Sequence, residues 1–162
     1  EMSASLVGSE MCIRDSRYFY EYMTRNKIMS KHVNLFYIDL DNFKKINDEY
    51  GHQAGDTVLV MVAKLLKQTF GAEFIARVGG DEFLAVVLGS KTDAELANLA
   101  ERFLSSLQQT IADNAKFAVL SASIGIAVSN ALTDVDLLIR QSDSALYEAK
   151  RNGKKQYKIY HK

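Results

Sequence analysis

The feature that most constrains the fold is a pair of apolar runs, residues 74–78 and 83–88, joined by Gly-Gly-Asp-Glu at residues 79–82. Runs of this length between turn residues predict buried β-strands. The two glycines predict a tight hairpin, because glycine tolerates positive φ and the close approach of a backbone or ligand. Two adjacent carboxylates exceed what a turn needs, and Mg²⁺ is often shared between carboxylates and substrate phosphates. The alternative is an acidic turn in water.

Composition limits the classes of protein that remain. The chain has 162 residues, enough for one domain with a hydrophobic core, and its 20 basic and 20 acidic residues give a formal net charge of zero. This balance argues against broad electrostatic binding of nucleic acid or of an anionic membrane. Cys12 is the only cysteine, which excludes an internal disulfide and a cysteine-rich zinc site, and no apolar run reaches the length of a membrane span.

Hydrophobic periodicity predicts helices alternating with strands around the hairpin. Thr92 followed by Glu95 has the spacing of a capping box at a helix start. The order of elements predicts an α+β sandwich, ferredoxin-like or palm-like, in which helices cover a mostly antiparallel sheet. The predicted helices cover residues 17–30, 43–50, 56–70, 92–111 and 134–151, and the predicted strands cover residues 33–40, 74–78, 83–88, 117–128 and 157–160.

Two carboxylates, Asp39 and Asp41, stand at the end of the first predicted strand. Side chains alternate along a strand, so both lie on one face. If this strand lies beside the hairpin, Asp39 and Asp81 converge and can hold a cation. The alternative for Asp41, together with Asn42, is a cap on the following helix.

Three further sets of polar residues have both a functional and a structural interpretation. Lys44 lies near a helix start, where free backbone amides and a lysine form an anion site, although a solvated lysine is the alternative. Asn47 and Asp56 can read the edge of a purine ring, or can cap the helices around a turn. Lys150 and Lys154 can clamp a polyphosphate, or can simply place favourable charge at a helix C-terminus.

In order and spacing, these segments resemble the GGDEF-domain family, the diguanylate cyclases. The similarity extends from residue 17 to residue 160, and five separated motifs agree where any one would be a weak signal. The motifs are Asp-Leu-Asp-Asn-Phe-Lys-Lys-Ile-Asn-Asp at 39–48, Tyr-Gly-His with Gly-Asp at 50–52 and 55–56, Arg-Val-Gly-Gly-Asp-Glu-Phe at 77–83, Ser-Ile-Gly-Ile-Ala at 123–127, and Asp-Ser-Ala-Leu-Tyr-Glu-Ala-Lys with Gly-Lys at 143–150 and 153–154.

The resemblance implies an enzyme that joins two GTP molecules into cyclic di-GMP and releases pyrophosphate. Each of two facing copies holds one GTP, so the implied active form is a transient homodimer that requires Mg²⁺ or Mn²⁺. An upstream sensor domain outside this chain and a cytoplasmic location, where GTP is found, are also implied, and the alternative location is the cytoplasmic part of a membrane-anchored sensor. The alternatives are a non-catalytic GTP-binding signalling module, and another nucleotidyl cyclase or polymerase-like palm.

The same resemblance implies roles for individual residues. Asp39, the Leu40 carbonyl and Asp81 would hold the metal. Glu82 would position or deprotonate the attacking 3′-hydroxyl, or assist a second metal. The remaining implied substrate contacts are Asn47 and Asp56 with guanine, Lys44, Lys150 and Lys154 with phosphates, and Phe43, Arg77, Gly79 and Gly80 close to the nucleotide.

Three features depart from the family pattern. Residues 1–16 lack the usual signature Asp-x-Leu-Thr-Gly-Leu-x-Asn-Arg, so we expect an atypical, foreign segment ahead of a catalytic domain at residues 17–162. Phe70 and Glu73 replace the Arg and Asp of the family's product-inhibition motif, which predicts that no feedback site is present. Lys154 stands where arginine is common, which keeps the charge but loses a planar fork.

Overall fold

The chain forms five α-helices and five β-strands in a computed structural model that describes residues 16–162. The expected atypical segment at residues 1–16 lies outside the described residues, apart from the backbone of Ser16. The helices are α1 (Ser16–Arg25), α2 (Phe43–Tyr50), α3 (His52–Phe70), α4 (Asp93–Ile111) and α5 (Val135–Arg151). The strands are β1 (Val33–Asp41), β2 (Phe74–Arg77), β3 (Glu82–Leu88), β4 (Ser121–Val128) and β5 (Tyr157–Ile159), with 3₁₀ turns at Ile28–Ser30 and Ala115–Phe117.

The five strands form one sheet in the order β2-β3-β1-β4-β5. Strand β1 lies at the centre and pairs antiparallel with β3 and with β4, β2 pairs antiparallel with β3, and only the β4–β5 pair is parallel. The predicted hairpin is present, because Arg77 pairs with Phe83 and the Val78 amide donates to the Glu82 carbonyl at 2.9 Å. The prediction of an α+β sandwich around a mostly antiparallel sheet is confirmed.

Helices cover both faces of the sheet, and alternation along β1 assigns its side chains to the two layers. Phe36, Ile38 and Leu40 are buried in the core formed with α2, α3 and α4. Val33 and Leu35 are buried in the second core, with residues of α1 and α5. Asp39 and Asp41 share the period of Val33 and Leu35, so they lie on the side of the sheet covered by α5.

The last long helix lies unusually close to the sheet. A Cβ atom at Gly125 of β4 would overlap the backbone of Ser142 and Leu146 in α5. Only glycine allows this approach, which brings the C-terminal end of α5 over the end of β1. The approach matters for function, since α5 ends with Lys150 and Arg151.

Several element boundaries differ from those predicted. Helix α3 begins at His52 rather than at residue 56, because Gly51 interrupts the helix for a single residue with φ of 87°. Strand β4 begins at Ser121 rather than at residue 117. Phe117 belongs to a 3₁₀ turn, from which its side chain packs into the core. The predicted first helix ends at Arg25 and is followed by the first 3₁₀ turn. The capping box of Thr92 and Glu95 is confirmed, with both reciprocal hydrogen bonds present.

Among the helices of residues 16–162, none combines the length and apolar character required to cross a membrane.

Candidate active site

The end of β1 meets the glycine hairpin. Asp39 is directly opposite Glu82 in the β1–β3 ladder, and the Leu40 amide donates to the Asp81 carbonyl at 3.0 Å. The hairpin tip is therefore fixed against the end of β1 by backbone hydrogen bonding rather than by side chains alone. Asp39 and Asp81 therefore converge, as the sequence predicted for a β1 strand beside the hairpin, and Glu82 lies next to them.

Asp39 is the most electrostatically perturbed carboxylate of this cluster. Its Oδ2 lies 3.3 Å from Lys150 Nζ, whereas its Oδ1 is buried and accepts no hydrogen bond from the described residues. Burial, and then repulsion by Asp81, raise the pKa of Asp39 to about 6. These effects outweigh Lys150, whose positive charge acts in the opposite direction.

Glu82 has a similar environment and a phenol neighbour. Burial and the charge of Asp81 raise the pKa of Glu82, while a hydrogen bond donated by the Tyr37 hydroxyl opposes the rise. Burial and Glu82 likewise raise the pKa of Tyr37, so the phenol remains a donor. Both Asp39 and Glu82 open into a groove of about 590 Å³ alongside α5. The residues lining this groove are Asp39, Glu82, Arg140, Asp143, Ser144, Leu146, Tyr147 and Lys150.

The hairpin tip is shaped by Arg77. Its Nε donates to the Gly79 carbonyl at 3.1 Å, and a terminal nitrogen donates to the Gly80 carbonyl at 2.9 Å. Neither glycine adopts a positive φ. A Cβ at residue 79 would lie 2.6 Å from Glu82 Oε1, so any larger residue there would displace the end of the Glu82 side chain, while the Cβ position at Gly80 is open.

The residues predicted to contact guanine lie at the junction of α2 and α3. Asn47 packs on Gly55, and its Oδ1 is buried without a hydrogen-bond partner among residues 16–162. The Asn47 side chain therefore does not cap either helix through this oxygen. Asp56 is half-buried and close enough to Arg77 for its charge to act on the guanidinium. Phe43 is buried in the core beside these residues.

The three lysines predicted to bind phosphate lie on two different helices or just beyond them. Lys44 is exposed in the first turn of α2. Lys150 is half-buried in the last turn of α5, between Asp39 and Asp41. Lys154 is exposed in the loop after α5, where its φ is 63°. Lys150 thus lies with the acidic cluster, whereas within residues 17–162 no hydrogen bond or ion pair joins the side chain of Lys44 or Lys154 to it.

The alternative assignment of Asp41 and Asn42 as helix caps is wrong. Asn42 adopts a left-handed conformation without a capping side-chain hydrogen bond, and its amide donates to the Val119 carbonyl instead. Asp41 is buried and accepts hydrogen bonds from Ser121, Ser123 and Lys150. Burial alone would raise the pKa of Asp41, but these hydrogen bonds hold it below its ordinary value.

The sequence reasoning missed four of these polar residues. From the sequence, Ser121 and Tyr37 have no role beyond their predicted strands, and Ser123 has none beyond opening the family motif at 123–127. A usable signal is present, because two serines at period two in an otherwise apolar strand, buried from Ser121 to Ala127, require a polar partner. Nothing in the sequence pointed to the backbone amide of Lys155, which donates to Asp41 at 3.1 Å.

The donor set can be compared with the needs of a divalent cation. Among residues 16–162, no group of three or more His, Cys, Asp or Glu side chains is arranged to hold a metal by itself. The buried, partnerless Asp39 Oδ1 is nevertheless an available anionic ligand, and Asp81 and Glu82 add negative charge beside it. Mg²⁺ commonly uses one or two carboxylates and completes its shell with water and phosphate oxygens, so the residues fit that ion.

Known protein families and curated proteins resemble this chain in sequence. The family model described as "Diguanylate cyclase, GGDEF domain" matches residues 16–156. Diguanylate cyclase DgcS of Shewanella oneidensis is 34% identical over 98% of this chain and 54% of its own length. Diguanylate cyclase A of Treponema denticola is 39% identical over 75% of this chain and 33% of its own length. The chain therefore spans about half or less of these curated relatives.

Solved structures show the same fold. The active GGEEF domain of a diguanylate cyclase from Vibrio cholerae is 32% identical, with a TM-score of 0.75 over 94% of this chain and 99% of that one. The GGDEF domain of DgcB from Caulobacter crescentus, solved with c-di-GMP, has a TM-score of 0.81 at 22% identity over 96% of both chains. The family model matches residues 16–156, which is most of the chain, so this chain belongs to the GGDEF-domain family.

Proposed function

We propose that this chain is the catalytic domain of a Mg²⁺-dependent diguanylate cyclase. It would condense two GTP molecules into cyclic di-GMP and release two pyrophosphates, at the interface of a transient homodimer. Membership of the GGDEF family supports the reaction class. We also infer that the domain works in the cytoplasm, where GTP is available, under the control of a sensor domain outside this chain.

The observation that carries the proposal is the environment of Asp39. A buried carboxylate oxygen without a partner is costly unless a ligand completes it. In the proposed site, Asp39, the Leu40 carbonyl and Asp81 hold Mg²⁺. The bound ion supplies charge neutralisation at the phosphates and favours attack on phosphorus. Mn²⁺ has the same preference for oxygen ligands and could replace Mg²⁺.

The remaining residues bind and orient the nucleotide. Lys150 is positioned beside the acidic cluster, and together with Lys44 and Lys154 it would neutralise phosphate oxygens. The unpaired Oδ1 of Asn47 and the carboxylate of Asp56 would accept the N–H donors of guanine. Gly79 and Gly80 would let the nucleotide approach the hairpin, whose shape Arg77 maintains.

Glu82 is the proposed base. Burial and the charge of Asp81 raise the pKa of Glu82 toward the range in which a carboxylate accepts a proton effectively. The Tyr37 hydroxyl donates a hydrogen bond to the same carboxylate. Glu82 would take the proton of the 3′-hydroxyl of the GTP held by the facing copy. The freed oxygen forms a bond to the α-phosphorus, and the bond from that phosphorus to pyrophosphate breaks. The reciprocal step in the second copy closes the ring.

Incubation of the purified 162-residue chain with GTP and Mg²⁺, followed by nucleotide chromatography, tests the proposal. Cyclic di-GMP and pyrophosphate are the expected products, with no product in EDTA. Asp81→Ala and Glu82→Ala should abolish turnover while retaining the wild-type circular dichroism, and Asp113→Asn, at an exposed residue, is the matched control. GTP binding without product would contradict catalysis and favour the signalling module, and a cyclic product from ATP would favour another cyclase.

A further inference from the structure

Asp41 is a buried carboxylate that collects four donors. Ser121 Oγ donates to its Oδ2 at 2.7 Å and Ser123 Oγ to its Oδ1 at 2.9 Å. Lys150 Nζ lies 3.0 Å from Oδ1, and the Lys155 amide donates to Oδ2 at 3.1 Å. A carboxylate at 1% exposure is tolerated only when it is paired and hydrogen-bonded, so these four contacts fix its position.

The loop held by this carboxylate has an unfavourable backbone conformation. Gly153, Lys154 and Lys155 follow one another with φ values of 113°, 63° and 52°. Left-handed conformations are disfavoured for residues with a Cβ, and two in succession persist only when the surroundings impose them. The Lys154 amide donates to the Ala149 carbonyl at 3.0 Å, and the next amide, that of Lys155, donates to Asp41.

Asp41 also determines where the Lys150 ammonium lies. Lys150 Nζ is 3.0 Å from Asp41 Oδ1 and 3.3 Å from Asp39 Oδ2. Without Asp41, Asp39 would be the remaining carboxylate partner of the ammonium, which would move further onto the oxygens proposed to hold Mg²⁺. With Asp41 present, the ammonium is bound on its buried side by Asp41, and Lys150 still lines the groove.

We propose that Asp41 is a positioning residue, which fixes Lys150 directly and Lys154 through the loop, so that both lysines face the nucleotide phosphates. This inference rests on the proposed function, because it assigns the two lysines to phosphate. Ser121 and Ser123 orient the carboxylate for this task. Asp41 itself touches neither the nucleotide nor the metal.

Binding of a non-reactive nucleotide tests the proposal apart from turnover. The probe is the GTP analogue with a methylene bridge between the α- and β-phosphorus, measured by calorimetry with Mg²⁺ present. Asp41→Asn should weaken binding by roughly 10- to 100-fold, the usual effect of removing a group that orients a ligand-binding side chain. In turnover of GTP, KM should rise more than kcat falls. Asp113→Asn should match the wild type.

A double-variant background separates positioning from a merely structural effect. In a chain carrying Lys150→Met and Lys154→Met, Asp41→Asn should change the affinity by less than about twofold, because the side chains through which it acts are gone. An equal loss in both backgrounds would overturn the proposal. If Asp41→Asn fails to fold, Ser121→Ala combined with Ser123→Ala replaces it, with a smaller loss expected in the wild-type background only.

Amide hydrogen exchange gives a readout that does not need a nucleotide. Asp41→Asn should accelerate exchange at residues 153–156 and leave the exposed loop at residues 112–114 unchanged. Unchanged exchange and unchanged affinity would overturn the proposal. A wild-type chain that binds no analogue would contradict the proposed function instead, and faster exchange in Asp41→Asn would still support the contact between Asp41 and the loop.

Discussion

Asp39 and Glu82 face each other across the ladder between β1 and β3. Like charges in directly opposed positions destabilise a sheet, and here burial and Asp81 increase the cost of ionising both. The folded chain therefore contains a repulsion that a proton or a cation would relieve. Stability is commonly sacrificed in this way at functional sites.

The first prediction concerns the stability of Asp39→Asn. Without metal and near neutral pH, this variant should have a free energy of unfolding about 1 kcal/mol higher than that of the wild type, because a repelled, partly buried charge is removed. Urea denaturation in EDTA measures the difference. The same variant should have no cyclase activity. Asp113→Asn, an exposed aspartate with the same substitution, should leave the free energy of unfolding unchanged.

The stabilisation by Asp39→Asn should depend on pH. The pKa of Asp39 is about 6 in the folded chain and 3.8 as an unperturbed group, so the folded state binds the proton more tightly. As the pH falls through about 6, protonation of Asp39 removes its repulsion, so the wild-type free energy of unfolding should rise. The stability difference between the variant and the wild type should shrink accordingly. A difference that is constant between neutral pH and pH of about 4 would contradict this explanation.

The second prediction concerns Tyr37, whose hydroxyl hydrogen-bonds Glu82. This hydrogen bond lowers the pKa of Glu82, so Tyr37→Phe should raise it. If Glu82 acts in its ionised form, the acidic limb of the profile of kcat/KM against pH should move to higher pH. Tyr160→Phe, in which the lost hydroxyl lies outside the groove, should not move the profile. If the acidic limb of Tyr37→Phe stays where it is in the wild type, the hydroxyl of Tyr37 does not influence the group that titrates there.

Much of the fold could be predicted from the sequence because it is encoded locally. The hairpin at residues 79–82, the capping box of Thr92 and the apolar period of α4 each depend on residues close together in the chain. Boundaries were less predictable, since a helix can restart immediately after Gly51 and a buried Phe117 need not belong to a strand.

The site was predictable only in part. Asp39 and Asp81 were expected to meet, because strand alternation and the hairpin place them at one end of the sheet. For Asp41 the sequence leaves a shared face with Asp39 and a helix cap as alternatives and shows neither partner, because its four donors come from residues 121–155, far along the chain. The sequence shows which residues are polar, but long-range pairing decides which of them share a hydrogen bond.

The third prediction contrasts two glycines. Gly125→Ala should lower the free energy of unfolding by about 3 kcal/mol, because its Cβ overlaps the backbone of α5, which cannot move aside as a side chain can. Gly80→Ala should leave stability nearly unchanged, since its Cβ position is open and its φ is not positive. Urea midpoints measure both. Equal midpoints for the two variants would contradict the close approach of α5.

Gly80→Ala also tests the role proposed for the hairpin. The added methyl group projects into the open space that the nucleotide is expected to approach, so affinity for GTP should fall although the fold is intact. Calorimetry with the non-reactive GTP analogue measures the loss. A Gly80→Ala variant that binds the analogue as tightly as the wild type would remove Gly80 from the nucleotide site.

The last prediction concerns feedback by the product. Phe70 occupies the place where the family's inhibitory motif has arginine, and its ring is buried with centroids 4.6 Å from Phe36 and 5.8 Å from Phe103. A buried phenyl ring offers no guanidinium to a ligand, so the inhibitory motif lacks its arginine. We therefore expect no feedback site. Initial rates should fall with added cyclic di-GMP only through competition with GTP, and saturating GTP should restore them. Phe70→Leu should respond in the same way, whereas inhibition that persists at saturating GTP would reveal a separate product site.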